Sequence, residues 1–237
     1  MLFDAKNLHN FYDTRLGATT KRVIGRHIRE AWPEVKGMNV LGIGFSHPYL
    51  NTFRKEANRV ISAIPISEGT YDRHGYTTND TYITSETELS LPDLSMDRIL
   101  IIHALERIEA IRPMMREVWR VLSGSGRLLV ITPNRRGIWA RLERTPFGYG
   151  QPYSHNQLSK LLIDTMFTPI TSSGVLYVPP SNSSLLLSSA WAWENIGKFW
   201  FSAVGGVVSV EACKQIYAGT PLRERQHRRV YSTILNQ

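Results

Sequence analysis

Apolar and polar positions along this chain fall into blocks whose period switches between that of a helix and that of a buried strand. Leu8 to Trp32 carries helical spacing in one or two segments, with a predicted break at Gly17 and a stop at Pro33. Met38 to Ile43 (MNVLGI) is a continuous apolar run between glycines, short enough for a strand buried on both faces. His47 to Glu56 follows as a predicted short helix, with Ser46 placed to cap it and Pro48 tolerated in its first turn. Further strands are predicted at Arg59–Ile64, Thr81–Thr84, Arg98–Ile102 and Arg127–Thr132, and a helix is predicted from Pro113 to Leu122. Ser154-His155-Asn156-Gln157 reads as a capping box opening a helix to Met166. Beyond it, Thr168–Val178 and Gly205–Glu211 read as strands enclosing a tryptophan-rich stretch, Ser184–Phe201. Strands alternating with helices through Thr132 argue for an α/β protein with a parallel sheet.

No linker interrupts this pattern, so one domain is predicted. Its parts are an N-terminal helical cap (1–36), a core (37–178), a helical insertion (179–204) and a last strand with a basic tail (205–237). The chain has 237 residues, enough for one large core. No apolar leader follows the early Asp4, and Phe199–Val210, the longest uncharged apolar run, is too short to span a bilayer. The single cysteine, Cys213, excludes an intrachain disulfide framework and fits a reducing compartment, so a cytoplasmic location is expected. One Cys and scattered His offer no metal cluster.

Charge adds a partner question. The formal net charge is +8, and Arg107 to Arg144 alone holds nine Arg against three Glu. Lys214, Arg223, Arg225, Arg228 and Arg229 extend the excess into the tail. Basic faces attract nucleic acid, anionic lipid or acidic small molecules, although a solvated helix face explains the same letters.

The stretch NVLGIGFSHPYL, Asn39 to Leu50, is where chemistry is expected. In an open α/β sheet, ligands sit outside the carboxyl ends of the strands beside the switch point. Gly42 and Gly44 stand at that end of the first strand, but His47 occupies the third position of a dinucleotide fingerprint and no Walker lysine follows. The turn therefore suits a nucleoside without a pyrophosphate.

Four motifs in order, VLGIG, LPDLSMDRILIIHALER, MMREVWRVLSGSGRLLVITPN and YSHNQLSKLLIDTMFTP, resemble the class I S-adenosylmethionine-dependent methyltransferases of the type-11 domain. The likeness covers roughly Val40 to Pro169, and PNRRGIWARLERTPFGYGQPYS resembles a bacterial subgroup of that family. It implies a Rossmann-like, seven-stranded, mostly parallel sheet with a C-terminal antiparallel hairpin and helices on both faces. It also implies S-adenosylmethionine as cofactor, held around Gly42, Ile43, Gly44, Phe45, Pro65, Glu86, Thr87 and His103. The family's ribose-binding carboxylate has no counterpart in Ser62-Ala63-Ile64-Pro65, so Glu68 or the loop backbone is expected to replace it. Ser85, with Glu86 beside it, stands where the family has an adenine-contacting Asp, and Glu106-Arg107 stands where it often has Glu-His.

Methyl transfer needs alignment, and a base only when the acceptor must lose a proton. His103, at the end of the fourth strand, is the candidate base or a pocket-lining residue. Asn134 is a candidate to orient an acceptor, or a turn residue after Pro133. Tyr12 is a candidate for covering the pocket, or for packing a peripheral helix. Arg135, Arg136, Arg141 and Arg144 interleave with Trp139 and Phe147, and Arg135, Arg136, Trp139, Arg144 and Phe147 are the expected substrate contacts. Trp193, Ile196 and Trp200 fall at helical spacing, which predicts core packing or burial in a homodimer, with membrane-surface attachment as a further option. The expected activity is methyl transfer to a small molecule. A non-catalytic interaction protein on the same fold and an RNA-directed methyltransferase are the alternatives.

Overall fold

A computed structural model describes residues 5–65, 81–85 and 87–215. Seven strands build one sheet: β1 (Asn39–Gly44), β2 (Arg59–Pro65), β3 (Thr81–Thr84), β4 (Met96–Ile102), β5 (Leu122–Pro133), β6 (Phe167–Val175) and β7 (Val207–Lys214). Their order is β3-β2-β1-β4-β5-β7-β6. β1 to β5 run parallel, and β7 runs antiparallel to both β5 and β6. The sheet order reverses between β1 and β4, as the family resemblance implies, and the carboxyl ends of those strands bound the switch-point crevice.

The apolar runs are buried from both sides. Val40, Leu100, Ile102 and Leu129 face one layer, built by α1 (Ala5–Tyr12), α2 (Arg15–Ala31) and α3 (His47–Leu50). Leu41, Ile43, Ile99 and Ile101 face the other, built by α4 (Ile111–Val121) and α5 (His155–Asp164). Successive strand residues alternate between the layers because side chains on a strand point to opposite faces. The capping box at α5 forms as predicted, with Ser154 and Gln157 satisfying each other's backbone N–H.

Several boundaries differ from the sequence reading, each for a physical reason. The break between the first two helices lies at Asp13–Thr14, not at Gly17. The Thr14 hydroxyl accepts from Gly17 N at 3.0 Å and donates to Phe11 O at 2.7 Å, so one side chain caps α2 and ties the end of α1. The third helix is a single turn, with irregular turns running on to Glu56. β5 begins at Leu122, because the SGSG stretch continues as strand, with a register shift opposite Met96/Arg98, instead of forming a loop.

The largest correction concerns the tryptophan-rich segment. It forms α6 (Ser184–Ser188) and α7 (Ala190–Trp200), but α7 buries Ala190, Glu194 and Gly197 instead of its large residues. Trp193, Ile196 and Trp200, expected in the core or buried in a homodimer, are exposed in the single chain, which excludes the first of these. Gly197 permits this orientation, since a Cβ there would fall 2.1 Å from the Tyr177 ring. The basic tail residues Arg223, Arg225, Arg228 and Arg229 lie outside the described residues.

Gly17 is enclosed inside α2. A Cβ at this position would sit 2.0 Å from Phe11 O and 2.6 Å from the Tyr12 Cα. Both neighbours are backbone and cannot rotate away. Gly17→Ala is expected to destabilise the protein by about 1–3 kcal/mol despite the better helix propensity of Ala. Urea unfolding followed by circular dichroism checks this, and a midpoint equal to or above that of the parent contradicts it.

Candidate functional site

The turn after β1 begins at Gly44, whose φ of +80° lies in the left-handed region open to glycine. Ser46 N donates back to Gly44 O at 2.7 Å, and α3 follows. Gly42 is needed for packing. A Cβ there would meet Ser46 Oγ at 2.2 Å and Leu50 Cδ1 at 2.5 Å, so its bareness lets the helix close on the strand. Ile43 points into the core layer beneath α4 and α5. Phe45 turns the other way and stacks on Tyr12, with ring centroids 5.1 Å apart.

β4 ends at Ile102, and His103 directly after it also adopts a left-handed backbone, with φ 55°. A non-glycine residue held there costs about 1–3 kcal/mol and persists only where the surroundings demand it. The surroundings are a buried chain of polar groups. Tyr49 of α3 donates to the Tyr12 hydroxyl at 2.7 Å. Tyr12, at the end of α1, lies 2.7 Å from His103 Nε2. On the other side of the ring, Nδ1 is 3.4 Å from Glu106 Oε1. Because Tyr12 accepts from Tyr49, its single proton goes to Nε2, which leaves the imidazole proton on Nδ1 facing the carboxylate.

Around this chain the protein is apolar. Phe147 lies 4.9 Å from the His103 ring between centroids, and Phe11 stacks edge-on against both Tyr12 and Phe147. Burial lowers the His103 pKa below 6.5, opposed by the nearby Glu106 carboxyl group. Burial also raises the Tyr12 pKa well above 10, reinforced by the charge and hydrogen bond of Tyr49 and then by the charge of Glu106. Glu106 is fully enclosed, and neither carboxylate oxygen has a conventional hydrogen-bond donor among the described residues. His103 is therefore neutral at physiological pH, with the Glu106 carboxyl group beside it.

Next to this cluster is a surface cavity of ≈ 380 Å³ lined by Phe11, Thr14, Leu16, Arg144, Thr145 and Asn182, among others. Arg144 is anchored by its Nη2, which donates to Pro180 O at 3.2 Å. Thus Tyr12, His103, Phe45 and Phe147 come together, with Arg144 on the neighbouring rim. Other sequence candidates are occupied elsewhere. Asn134 is wholly buried, with Nδ2 donating to Ala203 O and Gly205 O and Oδ1 accepting from Arg136 N, so it braces a turn. Trp139 is buried, with its indole N–H on Val178 O at 2.9 Å, and supports Phe147 from behind at 5.2 Å. Arg135 and Arg136 are exposed on the turn after β5. Thr87 is exposed and pairs with Ser85 at 3.0 Å. Glu68, Glu86 and the Pro65 side chain lie outside the described residues.

The geometry is that of a switch-point crevice roofed by an N-terminal helix, and known proteins share part of this chain's sequence and its fold. Residues 24–130 match the family described as "Methyltransferase domain". The match covers less than half of the chain, which over that span resembles a methyltransferase domain. The "Probable S-adenosylmethionine-dependent methyltransferase" of Mycobacterium tuberculosis is 34% identical over 94 residues, which are 39% of this chain and 34% of that protein. The chain therefore spans about a third of the length of that curated relative. Among solved structures, a chain of the Haloferax volcanii complex formed by the Trm112 methyltransferase activator superposes with TM-score 0.64 at 14% identity, covering 90% of this chain and 99% of that one. A SAM-dependent methyltransferase from Archaeoglobus fulgidus gives TM-score 0.58 at 16% identity, covering 82% and 94%. At such identities these two structures establish the shared fold.

Within the matched span, Tyr49 and the role of Glu106 were missed by motif reading. The available signal for Glu106 was its position three residues after His103, one turn further along the chain. Titration of His103, followed by its ring NMR signals, is expected to give a pKa below 6.5, and Glu106→Gln is expected to lower it further by removing the charge that favours the imidazolium. Because the folded pKa is depressed, His103 stabilises the fold above pH 6.5 and loses that contribution as pH falls through its folded value. A His103 pKa at or above 6.5, or one raised by Glu106→Gln, contradicts this electrostatic picture.

Proposed function

We propose that the chain is an S-adenosylmethionine-dependent methyltransferase that acts on a small-molecule acceptor and deprotonates it through Tyr12 and His103. The observation that carries this reading is the 2.7 Å contact between Tyr12 Oη and His103 Nε2 at the switch point of a methyltransferase fold. When bound, S-adenosylmethionine supplies an electrophilic methyl group on a sulfonium. Two features of the site suit a cation of this kind. Glu106 places a buried carboxyl group there without a conventional hydrogen-bond donor among the described residues, and Gly44 turns the β1 end away in a left-handed conformation. Gly42, Ile43, Gly44, Phe45, Thr87 and His103 are the described residues proposed to hold the cofactor, Gly42 and Ile43 by supporting the turn. Pro65, Glu68 and Glu86 are the proposed contributors from the neighbouring loops.

The chain's own residues account for the proton. An acceptor O–H or N–H directed at Tyr12 Oη passes its proton to that oxygen as the phenol proton moves to His103 Nε2. The resulting imidazolium keeps its Nδ1–H toward Glu106, whose carboxylate offsets the new charge in a site that burial has dried. Tyr12 is thus the proposed catalytic residue, with His103 taking the proton and Glu106 positioning the ring. Phe11, Phe45 and Phe147 exclude water. Acceptor selection is assigned to the ≈ 380 Å³ cavity, whose size fits a small molecule and whose Arg144 favours an acidic one. Arg135, Arg136 and Trp139 are proposed to act at most from its outer wall.

Calorimetric titration with S-adenosylhomocysteine tests the cofactor, and S-adenosylhomocysteine release from a panel of small hydroxyl, phenol and amine acids tests the chemistry. Tyr12→Phe is expected to lower kcat by about 10²–10⁴-fold with cofactor affinity within a few-fold. The parent rate is expected to fall as pH drops through the lowered His103 pKa. Absence of S-adenosylhomocysteine binding overturns the reading, and an unchanged kcat in Tyr12→Phe overturns the proton route.

A further inference from the structure

Between β6 and β7, where an antiparallel pair needs only a tight turn, the chain instead spans residues 176–206 and includes α6 and α7. The insertion is firmly held on its inner side. The Glu194 carboxylate accepts from the N–H groups of Leu176, Tyr177 and Val178, and Gly197 lets the Tyr177 ring lie against the helix. The outer side is a continuous apolar face. Ile196 is 51% exposed, Phe199 82% and Trp200 72%, with Ala192 and Trp193 filling the same face. Phe201 and Val204 prolong it past the helix, and Leu185 of α6 stands out at 79%. Single exposed apolar side chains are ordinary on a protein surface, but a helix face made entirely of them marks an interaction surface.

The neighbouring helix shows what that surface meets. α2 packs beside α6 and α7, joined by the Arg26 guanidinium 3.6 Å above the Trp191 ring and by Lys198 to Glu30 at 3.4 Å. The solvent side of α2 carries Arg15, Lys21, Arg22 and Arg26, all exposed, with Arg15, Arg22 and Arg26 at successive i, i+7 and i+11 positions. Arg26 is also paired with Glu30 at 3.0 Å, which among the described residues leaves Arg15, Lys21 and Arg22 as the unshared charges of this face. An aromatic ridge thus stands beside a positive helix face.

We propose that α7, together with the basic face of α2, docks this protein on the surface of an anionic phospholipid bilayer. Tryptophan and phenylalanine insert at the level of the headgroups while arginine and lysine meet the lipid phosphates. A second copy of the chain is a poorer occupant, because an isologous contact would bring two positively charged faces together in a molecule of net charge +8. Among the described residues no helix is long and apolar enough to cross a membrane, so the contact is interfacial.

The test is co-sedimentation of the whole chain with vesicles of equal parts phosphatidylcholine and phosphatidylglycerol, against vesicles of phosphatidylcholine alone. Binding is expected on the anionic vesicles, with a blue shift of tryptophan emission, and is expected to weaken as salt rises. A Phe199→Ser/Trp200→Ser double variant is expected to bind at least about tenfold more weakly, each ring removing contact worth about a decade of affinity. Both residues are exposed, so an unchanged thermal melt is expected and shows that the variant is folded. Lys21→Glu/Arg22→Glu leaves the ridge intact and is expected to abolish the preference for anionic lipid. No binding to the anionic vesicles, or binding indifferent to both variants, overturns the proposal. So does a dimer in sedimentation velocity, or a complex with a protein partner, that the Phe199/Trp200 variant dissociates while vesicle binding is absent.

Discussion

The hydrogen bond between the Tyr12 hydroxyl and His103 Nε2 joins two elements far apart in sequence, and much of the site depends on it. For the bond to form, α1 must end over the crevice, which requires the close α1–α2 corner at Gly17 and the Thr14 cap. It also requires the His103 ring to face inward, which the left-handed backbone at the end of β4 accomplishes. Once formed, it sets the tautomer of the ring through the proton Tyr12 has left after accepting from Tyr49. Glu106 completes the chain with charge. In water each of these contacts would be weak, but enclosed by Phe11, Phe45 and Phe147 their electrostatics are strengthened, and an unmet partner would be costly.

The sheet was readable because its signals are local and strong. Val40-Leu41 and Ile99–Ile102 are apolar on both faces, and that pattern belongs to a central parallel strand. Less readable were features where a side chain outside the local pattern decides the outcome. Gly17 looks like a break, yet Thr14 supplies the cap and Gly17 supplies clearance. SGSG looks like a turn, but Met96 and the bulge beside it offer Leu122 a strand partner, so the strand starts at the helix end. In α7, periodicity pointed Trp193 and Trp200 inward. The buried Glu194, held by three backbone N–H groups, reversed the helix, and no apolar pattern carries that information.

The candidate site shows the same division. His103 and the glycine turn could be found from their places at strand ends, and Tyr12 from an N-terminal helix expected to cover a pocket. Their direct contact could not, because it depends on the angle at which α1 crosses the sheet. Asn134 and Trp139 carry residue types common in ligand sites. Here, however, their polar atoms are spent on the backbone of the β6–β7 insertion, at Ala203, Gly205 and Val178. They are the joinery that holds the insertion and Phe147 in position. The structure thus separates residues that look reactive from those whose environment makes them so.

The placement of β7 between β5 and β6 has a consequence for biosynthesis. During translation, β5 emerges well before residues 207–214, and until then its outer edge presents unpaired amide and carbonyl groups. β6 cannot cover that edge, because its own partner is also β7. In the finished sheet both of these edges are covered by the one ribbon that is made last. A ribosome paused upstream of Val207 would expose a sticky half-finished surface to whatever chaperone or nascent chain is nearby.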